Sequence, residues 1–136
     1  MRYAQLTDSI AVAGQISIDD VPQIAAAGYQ VLVNNRPDGE DEGQPSAAEV
    51  EAAALAAGLE YHHLPVTGVN FPGPDVGQMA RLLDDESRPV FAFCRTGTRC
   101  TNLWVATRDD DSSRQRAADK ALSLGFDLGM AARLQP

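Results

Sequence analysis

Residues 89–104 read PVFAFCRTGTRCTNLW, and the fold of the chain turns on how this stretch is understood. Val90 to Phe93 form an apolar run that ends in Cys94; Gly97 lies just beyond, Arg99 comes five residues after Cys94, and helix-compatible sequence continues to about Arg108. A strand that passes through a tight loop into a helix N-terminus points successive backbone N–H groups inward and makes a nest for an anion. Arg95, Thr96, Gly97 and Thr98 would line that nest, with the helix dipole adding partial positive charge. Gly97 permits a turn that a Cβ would obstruct. Arg99 can close the ring with a two-pronged guanidinium. Cys94, at the base of this field, is expected to be held as a thiolate, the reactive form. The simpler alternative is a buried, inert Cys before a turn. The spacing alone would not decide against it; the spacing together with Gly97 and the strand–loop–helix context does.

The same alternation extends outward from this stretch. Apolar runs at 10–14, 29–34 and 60–66 read as further strands. Between them lie helical stretches: one capped near Asp19, with Pro22 in its first turn and Gly28 at its end; an Ala-rich one opened by a Ser46–Glu49 capping box and closed by Gly58; and one from Asp75 to about Leu83. Helices over 113–124 and 127–134 complete the chain. Strands separated by helices of this length imply βαβ units, hence an α/β fold with a mainly parallel central sheet flanked by helices. In such sheets ligands bind beyond the carboxyl ends of the strands. The loops 35–45, 67–74 and 94–99 should converge there.

The 136 residues fit one domain over the whole chain, 1–136. A hydrophobic fraction of 44% with 22% charged residues describes a globular chain. The net charge of −8 argues against a nucleic acid or membrane-surface partner, yet leaves room for a small anionic substrate in a locally positive site. There is no apolar run long enough to span a membrane and no signal-peptide pattern, so the expected location is cytoplasmic. Two cysteines make no disulfide framework. No zinc-type Cys/His spacing and no dinucleotide fingerprint occurs, so no metal or organic cofactor is expected.

A thiolate beneath an anion nest serves two reactions. It can attack phosphorus and form a thiophosphate, or attack a sulfane sulfur and carry a persulfide. The stretches IAVAGQISIDDVPQIAAAGYQVLVNNRPDGE (10–40), YHHLPV (61–66) and PVFAFCRTGTRCTNLW together resemble the DUF442 family. This is the phosphatase-like domain of beta-lactamase-hydrolase-like proteins, within the protein tyrosine phosphatase superfamily and similar to dual-specificity phosphatases. The resemblance covers about residues 1–134. It implies a phosphatase-type fold with Cys94 as nucleophile and Arg99 as anion clamp. Three departures stand out. The spacing is Cys-x4-Arg where the phosphatase signature is Cys-x5-Arg. Cys100 stands where a Ser or Thr would help the thiolate leave. No Asp occupies TGVN (67–70), where such enzymes carry their general acid. The loop CRTGTR is as long as that of rhodanese-type sulfurtransferases. The expectation is a phosphatase-like hydrolase, with sulfur transfer and a non-catalytic anion-binding module as alternatives.

Several other residues bear on the site. Arg36 follows a strand on the expected active face and could bind the anion, with Asp38 or Glu40 as proton donor; a solvated PDG turn is the plainer reading. Asp75 is expected to cap its helix. His62 and His63 are adjacent on a strand and face opposite ways, so they do not chelate together. Trp104 reads as core. Cys100 reads as a small packed residue, or else as a resolving thiol for an oxidised or persulfidated Cys94.

Overall fold

The computed structural model describes residues 1–134. Its centre is a five-stranded sheet in the order β1-β2-β5-β3-β4, formed by β1 (Ala4–Thr7), β2 (Ile10–Ala13), β3 (Val31–Asn34), β4 (Glu60–His63) and β5 (Val90–Phe93). β5 lies in the middle, parallel to both β2 and β3, and β3 is parallel to β4. β1 is antiparallel, paired to β2 through a tight turn. The sheet is thus mainly parallel, as the helix–strand alternation predicts. β1 is an addition to the expected strands: of its four residues only Leu6 is buried, which leaves a strand at the sheet's edge almost no apolar periodicity to be read by.

Helices cover both faces: α1 (Val21–Ala26), α2 (Ala47–Ala56), α3 (Val76–Asp84), α4 (Thr98–Ala106), α5 (Asp111–Ser123) and α6 (Gly129–Ala132). The period-two geometry of β5 divides the core between them. Val90, Ala92 and Cys94 point to the face packed with Leu103, Trp104 and Ala121, while Phe91 and Phe93 point to the face with Ile24, Val50 and Ala54. Phe91 and Phe93 are fully buried, each contributing about 2–3 kcal/mol of apolar transfer free energy. Tyr29 meets Phe91 edge-on at 5.4 Å. Trp104 is core, as expected.

Local sequence sets most boundaries. The Ser46–Glu49 capping box forms as predicted, and Gly28 and Gly58 end α1 and α2 with positive φ. Other boundaries differ. The first helix is capped at Asp20, one residue from the expected Asp19 and with Pro22 in its first turn, and a 3-10 turn, Ile18–Asp20, precedes it with the Ser17 N–H donating to the Asp20 carboxylate at 2.8 Å. β4 stops at His63, just ahead of Pro65, which has no N–H for the ladder, although the Leu64 and Val66 N–H groups still reach Asn34 O and Asn35 O. α5 starts at Asp111 because the Asp110 carboxylate accepts the Ser113 N–H at 2.7 Å, so DDDSS opens a helix instead of only breaking the chain. α6 is a single turn, shorter than the stretch 127–134. Among the described residues no helix is long and apolar enough to cross a membrane.

Four parallel strands end side by side, and their backbones are stitched there. The Cys94 N–H donates to Ala13 O at 3.2 Å and the Asn35 N–H to Phe93 O at 2.9 Å. Just beyond β2, Gln15 N–H donates to Arg95 O at 3.2 Å.

Candidate active site

Because Cys94 keeps the register of Val90 and Ala92, its side chain turns under α4 instead of toward α1. It is completely buried, and the Gly97 N–H donates to its Sγ at 3.2 Å. Gly97 has φ +86, and a Cβ there would meet Phe126 at 3.3 Å and the Ala13 backbone at 3.4 Å. Both the left-handed backbone and the space require Gly. Gly14 carries no local signal, yet a Cβ on it would sit 3.0 Å from Arg95 O; its small size lets the end of β2 press against the loop. The Thr101 hydroxyl ties back to Gly97 O at 2.8 Å, fixing the loop to the first turn of α4.

The Cys94 thiol is pushed down to about 6, first by a hydrogen bond from the Cys100 thiol. Burial opposes this, and the backbone N–H groups of Cys100, Thr96 and Arg99 add to the lowering. Cys100 moves the other way: burial, then its neighbour Cys94, raise it well above the usual thiol range. Cys100 therefore keeps its proton beside the lowered Cys94 thiol. Iodoacetamide alkylation of Cys94 should rise with pH to half its maximum near pH 6. In Cys100→Ala the main lowering contact is gone, so the midpoint should move upward; Cys100→Ser should restore part of it. A midpoint unmoved in Cys100→Ala would show that the backbone nest alone activates the thiol.

Three arginines approach this loop with different commitments. Arg99 lies at its end, mostly buried; Nη1 donates to Val66 O at 3.2 Å and Nη2 to Glu40 Oε1 at 3.0 Å. Arg36 is buried, and its nitrogens are taken by Glu40 at 2.8 Å, Gln15 at 3.0 Å and Asp41 at 2.6 Å. It supports the site from beneath instead of offering a free fork to an anion. Arg95 is exposed, with Nε 3.5 Å from Asp41 Oδ2. The hydroxyls of Thr96 and Thr98 bond each other at 2.9 Å on the loop's outer side.

The acidic residues also separate. Asp38 is exposed, and its carboxylate accepts the Ala47 N–H at 2.7 Å, beside the start of α2. Glu40, not Asp38, joins Arg99 and Arg36. Burial pulls the Glu40 carboxyl upward, but hydrogen bonds from Arg99 and Arg36 outweigh it and hold Glu40 below the usual carboxylate range. Glu40 is therefore an anion at neutral pH and has no proton to give. Asp75 stands at the start of α3 but makes no side-chain capping bond, contrary to its expected role. His62 binds Glu60 at 2.6 Å and Gln78 at 3.0 Å, while His63 binds Arg36 O at 2.8 Å, so the two histidines serve different neighbours as their alternation predicts. Gln15 and Val66 join the site unforeseen; each gains its place through tertiary contact and carries no local signal.

Comparison with known proteins agrees with this fold. Residues 2–110 match the family described as beta-lactamase hydrolase-like protein, phosphatase-like domain. A beta-lactamase hydrolase-like protein of Agrobacterium fabrum is 36% identical over 135 residues, covering 98% of this chain and 31% of that protein. The chain thus spans about a third of the length of the curated relatives it matches. A crystal structure from Neisseria meningitidis Z2491, described as a candidate phosphatase, is 34% identical with a TM-score of 0.74, covering 96% of this chain and 94% of that one. A mutant form of Tk-PTP shares the fold at 19% identity and a TM-score of 0.66, covering 95% of this chain and 85% of that one. With a phosphatase-type sheet, a Cys–Arg loop at its carboxyl edge and a family match over most of its length, the chain belongs to the phosphatase-like domain family of beta-lactamase hydrolase-like proteins, also known as DUF442.

Proposed function

We propose that the chain is a cysteine-dependent, phosphatase-like hydrolase of small phosphorylated substrates, working in the reducing cytoplasm. The observation that carries this is the Gly97 N–H on the Cys94 sulfur, at the base of a loop closed by Arg99. A phosphate seated in the nest would present phosphorus to the thiolate, with its oxygens facing the N–H groups and Arg99. The sulfur–phosphorus bond forms as the ester oxygen leaves. Water then attacks phosphorus, and phosphate departs as the thiolate is restored. The Cys100 thiol stabilises that returning thiolate by its hydrogen bond.

A second reading, sulfur transfer, is favoured by the acids. Glu40 is ionised between two arginines and Asp38 is engaged at α2, so neither is a free proton donor beside Cys94. Attack on thiosulfate needs none: the thiolate takes the outer sulfur, sulfite leaves, and cyanide carries the sulfur away as thiocyanate.

The two are separated by assaying p-nitrophenyl phosphate, an alkyl phosphate, and thiosulfate with cyanide on one preparation, with Cys94→Ser as the blank. Slow hydrolysis of the aryl ester, and much slower hydrolysis of the alkyl ester, is expected, because only the alkoxide needs a general acid to leave. Thiosulfate turnover more than about tenfold above the aryl phosphate rate, a difference of ~1.4 kcal/mol in barrier, would replace the phosphatase reading by the sulfurtransferase one. Phosphate binding without turnover of any substrate would leave an anion-binding module.

A further inference from the structure

The last turn of the chain closes around the Cys94 loop. Phe126 stands 3.3 Å from where a Cβ on Gly97 would lie. The side chain of Asn102, buried in α4, donates to Asp127 O at 2.8 Å and accepts the Ala131 N–H at 2.9 Å. These bonds fix α6 to the helix that carries Arg99. Arg133 follows the last residue of α6 and reaches the 67–74 loop, where its Nη2 donates to Gly68 O at 2.8 Å. That loop is itself held in shape: the Thr67 N–H and hydroxyl donate to Asn70 Oδ1 at 2.7 and 3.1 Å, and the Asn70 N–H donates to Thr67 Oγ1 at 3.1 Å. Just ahead of the loop, Val66 O accepts from Arg99 Nη1 at 3.2 Å. Two residues of chain span at most about 7 Å, which keeps the two guanidinium groups within about 13 Å of each other.

We infer that Arg133 is a second anion contact at the rim of the site, and that the substrate carries, besides the phosphate over Cys94, another negative group such as a carboxylate. This rests on the anion-site reading given above. Arg133 is exposed, and its bond to Gly68 O engages one nitrogen of a fork that has five N–H donors. A carbonyl satisfies a donor without cancelling the charge. The arginines nearer Cys94 are placed differently: Arg36 and Arg99 pair with Glu40, and Arg95 stands 3.5 Å from Asp41. Asp127, the acid closest to Arg133 along the chain, accepts the Gly129 N–H at 2.7 Å instead. Among the described residues no carboxylate forms an ion pair with Arg133. In a chain of net charge −8, a cation held in this way beside an anion nest raises the local potential for negative groups. Arg99 and Arg133 take different carbonyls of one chain segment, so they sit in a row along it, as contacts for two groups of one ligand. The alternative, that Arg133 only tethers the loop, requires the hydrogen bond and not the charge.

The test compares two rigid probes as protectants of Cys94 against iodoacetamide. One is phenyl phosphate; the other is 4-carboxyphenyl phosphate, which adds a carboxylate on the far side of the same ring. Wild type is expected to need about three- to fivefold less of the carboxylated ester, the gain that an exposed ion pair gives. Arg133→Gln should erase this preference while phenyl phosphate protects as it does in wild type. Arg116→Gln, on α5, makes the same change in net charge and should leave the preference intact. Thermal unfolding checks that both variants fold. A preference unchanged in Arg133→Gln, or absent in wild type, would overturn the proposal. Equal weakening of both esters in Arg133→Gln would make Arg133 a tether of the loop and would overturn it too. So would a preference erased by Arg116→Gln, which would assign the effect to overall charge. If neither ester protects the wild-type protein, the anion site is refuted and the second contact with it, a result distinct from a lost preference between the esters.

Discussion

Cys94→Ser is expected to lower turnover of whichever substrate the protein accepts by about a thousandfold or more while leaving the fold intact. The reasoning is that a hydroxyl fits the space but stays protonated where the thiol does not. Cys94 is held as a thiolate at neutral pH by the Cys100 thiol and the loop N–H groups, whereas a serine hydroxyl has no base beside it to take its proton. Removal of a nucleophile commonly costs this much or more, because no other group can form the covalent intermediate. Structurally the change is mild: Ser still accepts the Gly97 N–H, so that buried donor is not orphaned. A thermal midpoint within a few degrees of wild type, with turnover at the background level, is the expected pair of measurements. Substantial turnover retained by a folded Cys94→Ser protein would mean that the chemistry is not carried by this sulfur.

Arg99→Lys should weaken phosphate binding by about ten- to a hundredfold, and Arg95→Lys far less. Arg99 is tied to Val66 O and Glu40 by two different nitrogens, which fixes its plane. An ammonium keeps the charge but offers a single point, so it cannot satisfy both neighbours and still give an anion two parallel hydrogen bonds. Losing one charge-assisted bond of that kind corresponds to ~1.5–3 kcal/mol. Arg95 is exposed, and its acidic neighbour Asp41 stands at 3.5 Å, so a lysine there keeps most of what the arginine supplies. Isothermal titration with phosphate gives both numbers. Equal losses at the two positions, or a larger one at Arg95, would place the anion on the outer rim of the loop instead of under Arg99.

The contrast between these arginines shows where local sequence stops being informative. Cys94, Gly97 and Arg99 lie within one short strand–loop–helix stretch, and their geometry follows from local rules. The strand period aims Cys94, the left-handed backbone requires Gly97, and the first turn of α4 carries Arg99. The parallel order of the central strands is legible for the same reason, since strand–helix alternation permits few other arrangements. β1 is not legible, because one buried residue in four leaves no period to read.

The partners of these residues come from the tertiary structure. Sequence alone places Arg36 and Asp38 on the expected active face and does not say what their charges would meet. The fold buries Arg36 against Gln15, which is 21 residues away, turns Asp38 toward α2, and brings Glu40 to Arg99 across 59 residues. Such pairings depend on which strand ends lie side by side, and that is a property of the assembled sheet. The same holds for Val66 and Gly14, whose parts in the site are a carbonyl and a missing Cβ. The sequence by itself determined a Cys–Gly–Arg loop at the carboxyl edge of a parallel sheet, because neighbours along the chain build it. Which charges steady that loop was decided by tertiary structure, because long-range packing chooses the neighbours of a side chain and local propensity does not.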